Sequence, residues 1–183
     1  MNILIFLKNI LQLLLSPAHG WEEISSEGRD PERLSNEGMY PLFGLAAATA
    51  FVQGIYIRNA EVGALLQLAL VEFMALFVAY WIGAALLDNF INRFTDSDVS
   101  SKCCRTVAIY IASTLAIIQI IENLVPVEFT VIKFLPAFAA IVLWKATAYL
   151  SIKKSEEGRY IIFALAVMII PWMLLTTILS LFL

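Results

Sequence analysis

Residues 62–87 read VGALLQLALVEFMALFVAYWIGAALL, twenty-six positions with a single charged side chain, Glu72. A soluble helix of that length would carry a polar outward face; this stretch has none and belongs in hydrocarbon. A strand reading fails because barrel strands alternate in polarity and run about half as long. As a helix the stretch rises ~39 Å against a bilayer core of ~30 Å, so it must tilt or extend past the membrane toward Phe94.

Four further runs are long enough to cross: about residues 40–57, 106–124, 129–150 and 160–183. Backbone groups find no water in hydrocarbon, and only helical bonding satisfies them within runs of this length. The expected fold is therefore all-α, a polytopic bundle of five transmembrane helices over residues 40–183. Residues 1–39 supply interfacial helices and a polar loop on the cytoplasmic face. Composition agrees: 61% of the 183 residues are apolar, where soluble domains hold about 45–50%. A net charge of −3 with 15% charged residues leaves no basic footprint for nucleic acid.

Lysines and arginines in the connections set orientation, because they are retained inside. Arg29, Arg33, Arg93, Lys102, Arg105, Lys153, Lys154 and Arg159 fall on one side and Arg58 alone on the other. This places the amino terminus in the cytoplasm and the carboxyl terminus outside, with a bacterial inner membrane the expected location.

Ahead of the spans, LLLSPAHGWEEI (residues 13–24) breaks a leucine run at Ser16-Pro17. Placed at 100° per residue, Asn2, Lys8, Asn9, Gln12 and Ser16 share one stripe about 120° wide, interrupted by Ile5, while the rest is apolar. Such a helix lies in the interface with its stripe toward water. A signal peptide fits less well, since Lys8 sits inside the apolar stretch and no small-x-small cleavage site follows. Ser16 suits an N-cap and Pro17 the first position of a second short helix, with Trp21 at headgroup level. Residues 25–36, SSEGRDPERLSN, read as a loop by composition, and Tyr40-Pro41 as the opening of the first span.

These residues carry a resemblance. LLLSPAHGWEEI with its Ser16, Pro17, Trp21 and Ile24, then YPLFGLAAATAFVQG (residues 40–54) with Tyr40 and Pro41, and then five spans, resemble the bacterial branch of the Yip1 family. The resemblance covers nearly the whole chain. Eukaryotic members are integral proteins of the early secretory pathway that bind Rab GTPases and take part in vesicle formation and membrane shaping. Their Asp-Leu-Tyr-Gly-Pro motif is replaced here by GMYPLFG (residues 38–44), and the resemblance supplies no catalytic residues.

Within the spans, Glu72 lies near mid-membrane, where a carboxylate is costly and marks a functional candidate. Lys133 and Lys145 of the fourth run are its candidate partners, each offset in depth and each able instead to snorkel to its own interface. Gln119, Glu122 and Asn123 share a face at the outer end of the third run, suited to a cation or a headgroup amine or to an ordinary interface. Asp88, Asn89, Asn92, Asp96 and Asp98 cluster at the inner end without calcium-loop spacing. One histidine, His19, rules out a histidine-based metal site, and the adjacent Cys103 and Cys104 offer no spaced ligand set, so no cofactor or metal is expected.

Small residues recur every four positions, as Ala46, Ala50 and Gly54 and as Ala75, Ala79 and Gly83, a spacing that lets these two runs pack together or against a second copy. Pro136 and Pro171 each remove a backbone donor inside a run and invite a kink. Two functions remain open from sequence. One is a non-catalytic membrane organiser or adaptor that meets lipids and a cytoplasmic protein partner; the other is a small transporter or lipid-handling protein using Glu72. An enzyme fits least, because the spans hold no paired aspartates and no Ser/His set.

Overall fold

The computed structural model describes residues 3–56, 61–95, 99–125, 136 and 138–180, all helices and short connections. Among these residues the elements are α1 (Ile3–Leu15), α2 (Pro17–Glu27), α3 (Pro31–Leu34), α4 (Tyr40–Tyr56), α5 (Val62–Phe90), α6 (Ser101–Leu124), α7 (Phe138–Tyr149) and α8 (Glu157–Ser180). The result is an all-α membrane bundle.

Among the described residues four helices are long and apolar enough to cross: Pro31–Tyr56, Val62–Arg93, Ser101–Leu124 and Glu157–Ile178. Of the fifth expected run, α7 covers Phe138–Tyr149 and is apolar but short, and most of residues 129–137 lies outside the described residues. Helix α5 runs unbroken to Phe90 and then tightens into a 3₁₀ turn, Ile91–Arg93, so its surplus length goes into extension beyond the apolar stretch.

Helix α6 is the hub. It packs against α4, α5, α7 and α8 within the bundle and against α1 and α3 at one end. Its membrane window is 78% buried inside the protein at a mean hydropathy of 1.7, whereas α5 and α8 are 33% and 22% buried at 2.2 and 2.5. Lipid drives the difference: outward faces must be apolar, while a helix enclosed by protein can keep polar groups if each finds a bond. Three hydroxyls of α6 do so locally, with Thr106 Oγ1 donating to the Lys102 carbonyl at 2.8 Å, Ser113 Oγ to Ile109 at 2.7 Å and Thr114 Oγ1 to Tyr110 at 2.9 Å.

Residues 25–36 are mostly helical instead of forming the expected loop. Helix α2 continues to Glu27 and stops at Gly28, whose left-handed backbone (φ 52°) closes its last turn with a bond to the Ile24 carbonyl. After three residues Pro31 restarts a helix that passes through a π-helical turn, Ser35–Met39, into α4. Polar composition suggested solvent, yet Leu34, Ser35, Gly38 and Met39 are buried, and that docking overrides composition. The helix that carries the first span therefore starts ahead of Tyr40-Pro41, at Pro31, and the wider π turn sits where Pro41 denies the helix a backbone donor.

The small-residue spacing divides between two partners. Ala46, Ala50, Ala75 and Ala79 are buried and α4 packs on α5, with Ala47, Ala50 and Ala69 closing together beside Phe73. Gly54 is half-buried on α4. Gly83 serves α8 instead: a Cβ there would run into the Met168 sulfur and crowd the Val167 carbonyl. That carbonyl is the acceptor that Pro171, four residues on, leaves without its helical N–H, so α5 comes close where α8 lacks a bond.

Candidate functional site

Among the described residues, two groupings of polar and aromatic side chains take in most of the candidate residues. The first is a collar made by α1 and α2 on one end of the bundle. Phe6, Asn9, Ile10 and Leu13 form the buried face of α1. Phe6 stacks on Tyr110 of α6 at 5.5 Å between centroids. Two glycines permit the approach, since a Cβ at Gly20 would strike the Leu13 backbone and one at Gly38 the Phe6 ring. Trp21, only 3% exposed, donates its indole N–H to the Val142 carbonyl of α7 at 2.9 Å, stacks on Tyr149 and meets Tyr110 edge-on. Ile24 is buried beside it.

Trp21 is thus an anchor into the bundle. Ser16 occupies the N-cap position, its carbonyl accepting from Gly20 at 2.9 Å, but its hydroxyl makes no capping bond. Pro17 opens α2 as the sequence suggests.

The polar stripe of α1 also needs correction. Lys8 is exposed and bonds Glu23 at 3.2 Å, but Asn9 is buried, donating to Glu27 at 2.8 Å and to the Tyr110 hydroxyl at 3.5 Å. Asn2 lies outside the described residues. The buried apolar face carries Asn9 inward because the two lie within about 60° of each other on the helix. On the opposite arc, within about 40°, Leu4, Leu11 and Leu15 are exposed, Leu15 to 86%.

The second place is a polar knot toward the other end. Glu72 is 3% exposed; its Oε1 accepts from Gln119 Nε2 at 3.2 Å and its Oε2 from Asn123 Nδ2 at 2.8 Å. Asn123 also donates to Thr49 Oγ1 at 3.0 Å and accepts from Gln53 Nε2 at 2.7 Å. Five side chains from α4, α5 and α6 therefore close one network around an intramembrane carboxylate. Beside it a cleft of about 430 Å³ is lined by Glu72, Gln119, Glu122, Pro136, Trp172 and Thr176 among others. Trp172 is buried, and its N–H has no acceptor among the described residues.

The structure joins Glu72 to the Gln119 face rather than to Lys145. Lys145 sits near the collar, its Nζ 4.1 Å from the centre of the Trp144 ring, and Lys133 lies outside the described residues. Sequence reading passed over Thr49 and Gln53, although their i, i+4 spacing on an apolar run marks a shared face. Cys104 is buried and Cys103 half-buried, and Asn89 donates to its own helix at Ala85. Asp96 and Asp98 lie outside the described residues; among those described, no three acidic, histidine or cysteine groups gather as metal ligands would.

No curated protein matches the chain, and no solved structure matches it. A family model described as the Yip1 domain matches residues 11–182, from within α1 to the end of the chain's last apolar run. The match takes in Ser16, Pro17, Trp21, Ile24, Tyr40 and Pro41 together with the polar knot. The chain is an integral, multi-pass membrane protein and belongs to the Yip1 family.

Proposed function

We propose that this protein is a non-catalytic membrane organiser or adaptor, whose collar faces the cytoplasm of a bacterial inner membrane and presents a fixed surface to lipid and to a protein partner. One observation carries the reading: α1 is locked to the bundle on one face by Phe6, Ile10 and Leu13 and leaves Leu4, Leu11 and Leu15 outward on the other. A helix held in this way transmits what it meets to the spans, and outward leucines at an interface insert among acyl chains and spread the leaflet on that side. The eight lysines and arginines in the connections at that end support the cytoplasmic side.

The experiment is to reconstitute the full chain in phospholipid vesicles and compare it with a triple variant, Leu4→Ser, Leu11→Ser and Leu15→Ser, which leaves the buried face intact. The wild type should shift the vesicle population toward higher curvature, seen as smaller or tubular profiles, and the variant should not. Equal vesicle shapes for wild type, variant and protein-free controls would remove the ground for this function.

A further inference from the structure

Between α2 and α7, on the outside of the collar, lies a cleft of about 580 Å³ lined by Ala18, Trp21, Glu22, Ser25, Lys145 and Tyr149 among others. We propose that it holds the headgroup of an aminophospholipid, the phosphodiester against Lys145 and the primary ammonium against Glu22. The inference does not depend on the adaptor reading, because it concerns what occupies the cleft and not what the collar recruits.

The lining has the polarity of an amphiphile. Helix α7 presents Ile141, Trp144 and Ala148 outward at i, i+3 and i+7, an apolar track on the lipid side that ends at the cleft. Lys145 stands at the head of that track. Its ammonium lies over the Trp144 ring, and that indole is itself fixed by donating to Glu157 at 2.7 Å. No carboxylate bonds Lys145 among the described residues, so its charge rests against an aromatic face rather than in an ion pair.

Across the cleft, Glu22 stands on α2 with His19 3.5 Å away, and Ser25 adds a hydroxyl to the same rim. The buried ring of Trp21 and the half-buried ring of Tyr149 close the back wall. One cationic and one acidic side chain lining the same cleft as two aromatic rings match a zwitterion better than an anion. A primary ammonium donates hydrogen bonds to a carboxylate, which a trimethylammonium cannot. The volume falls within the several hundred cubic ångströms usual for a ligand site.

The test uses the full chain in detergent micelles, measuring binding of phosphatidylethanolamine, phosphatidylcholine, phosphatidylglycerol and diacylglycerol of matched acyl chains by native mass spectrometry. Phosphatidylethanolamine should bind at least about fivefold more tightly than phosphatidylcholine and about tenfold more tightly than diacylglycerol. Lys145→Gln should weaken all three phospholipids and Lys145→Arg restore them, whereas Glu22→Gln should erase only the preference for the primary amine. Ala148→Phe, which fills the cleft and keeps both charges, should weaken every phospholipid.

Each variant is compared only where it elutes as a single species with wild-type helicity. Binding unchanged in Lys145→Gln, or diacylglycerol equal to phosphatidylethanolamine, overturns the proposal. So does displacement of the lipid by soluble phosphoethanolamine at equal concentration, which would make the site one for a free phosphoamine.

Discussion

At the collar, one indole N–H reaches one carbonyl while Phe6, Trp21, Tyr110 and Tyr149 stack around it; at the knot, five side chains exchange hydrogen bonds around a carboxylate. Both attach one part of the chain to α6, yet the forces differ in kind. A surface layer next to water has hydrophobic burial to draw on, so aromatic area holds the collar down. Deep among spans, helix association gains no hydrophobic driving force, because lipid is as apolar as protein, and specificity must come from close packing and from polar groups that have nowhere else to bond. The collar should therefore fail in proportion to lost area, and the knot in proportion to lost partners.

The largest expected effect tests the first half of that contrast. Trp21→Ala removes a buried indole and leaves the Val142 carbonyl without its donor, which should cost about 4 kcal/mol. Because α1 and α2 join the bundle through the short stretch from Gly28 to Asp30, the loss should appear as release of the collar with the spans intact. Limited proteolysis would show it as new cleavage around residues 28–30 with unchanged helicity. A protected junction in this variant would mean that the aromatic cluster does not hold the collar.

At the knot, Asn123→Ala should cost about 2 kcal/mol, since several bonds vanish together and each is worth about 0.6 kcal/mol on average between membrane helices, with a further penalty for Glu72 left under-bonded. Unfolding in mixed micelles with increasing denaturing detergent would measure it. The double variant with Glu72→Gln sharpens the comparison: if the two changes act through one network, their combined cost falls well short of the sum. Additive costs would mean that the five side chains are neighbours without being coupled.

Much of this was legible in the residues. Long apolar runs mark spans because the bilayer sets their length, and Gln119 and Asn123 declared a shared face by spacing alone. What escaped did so for physical reasons. Position within each run sets Glu72 near mid-membrane and Gln119 at an outer end, whereas the fold bonds the two side by side, a register between α5 and α6 that spacing within one helix does not carry. The segment around Gly28 to Asn36 has the polarity of a loop, yet Leu34 and Met39 fit against the bundle, which composition cannot reveal. The helical position of Asn9 points it to water, and nothing near Trp21 in sequence announces the bundle contacts it makes. Their partners, Tyr110 and Val142, lie 101 and 121 positions away, beyond any local pattern.

The smallest expected effect completes the contrast. Lys8 and Glu23 form the one ion pair seen between α1 and α2 among the described residues, and it lies in the open, with 67% of the lysine side chain exposed. An exposed pair gains little Coulomb energy in water, gives back side-chain entropy, and is screened within about 8 Å at physiological salt. Lys8→Ala should therefore change stability by less than about 0.5 kcal/mol and leave the junction near Gly28 as resistant to protease as in the wild type. Buried Asn9, one residue on, bonds both Glu27 and Tyr110, and Asn9→Ala should loosen the collar measurably under the same digestion. If the lysine proved the costlier of these two neighbours, and its cost fell with added salt, charge rather than burial would be what seats α1, and the division drawn between the two ends of the bundle would not hold.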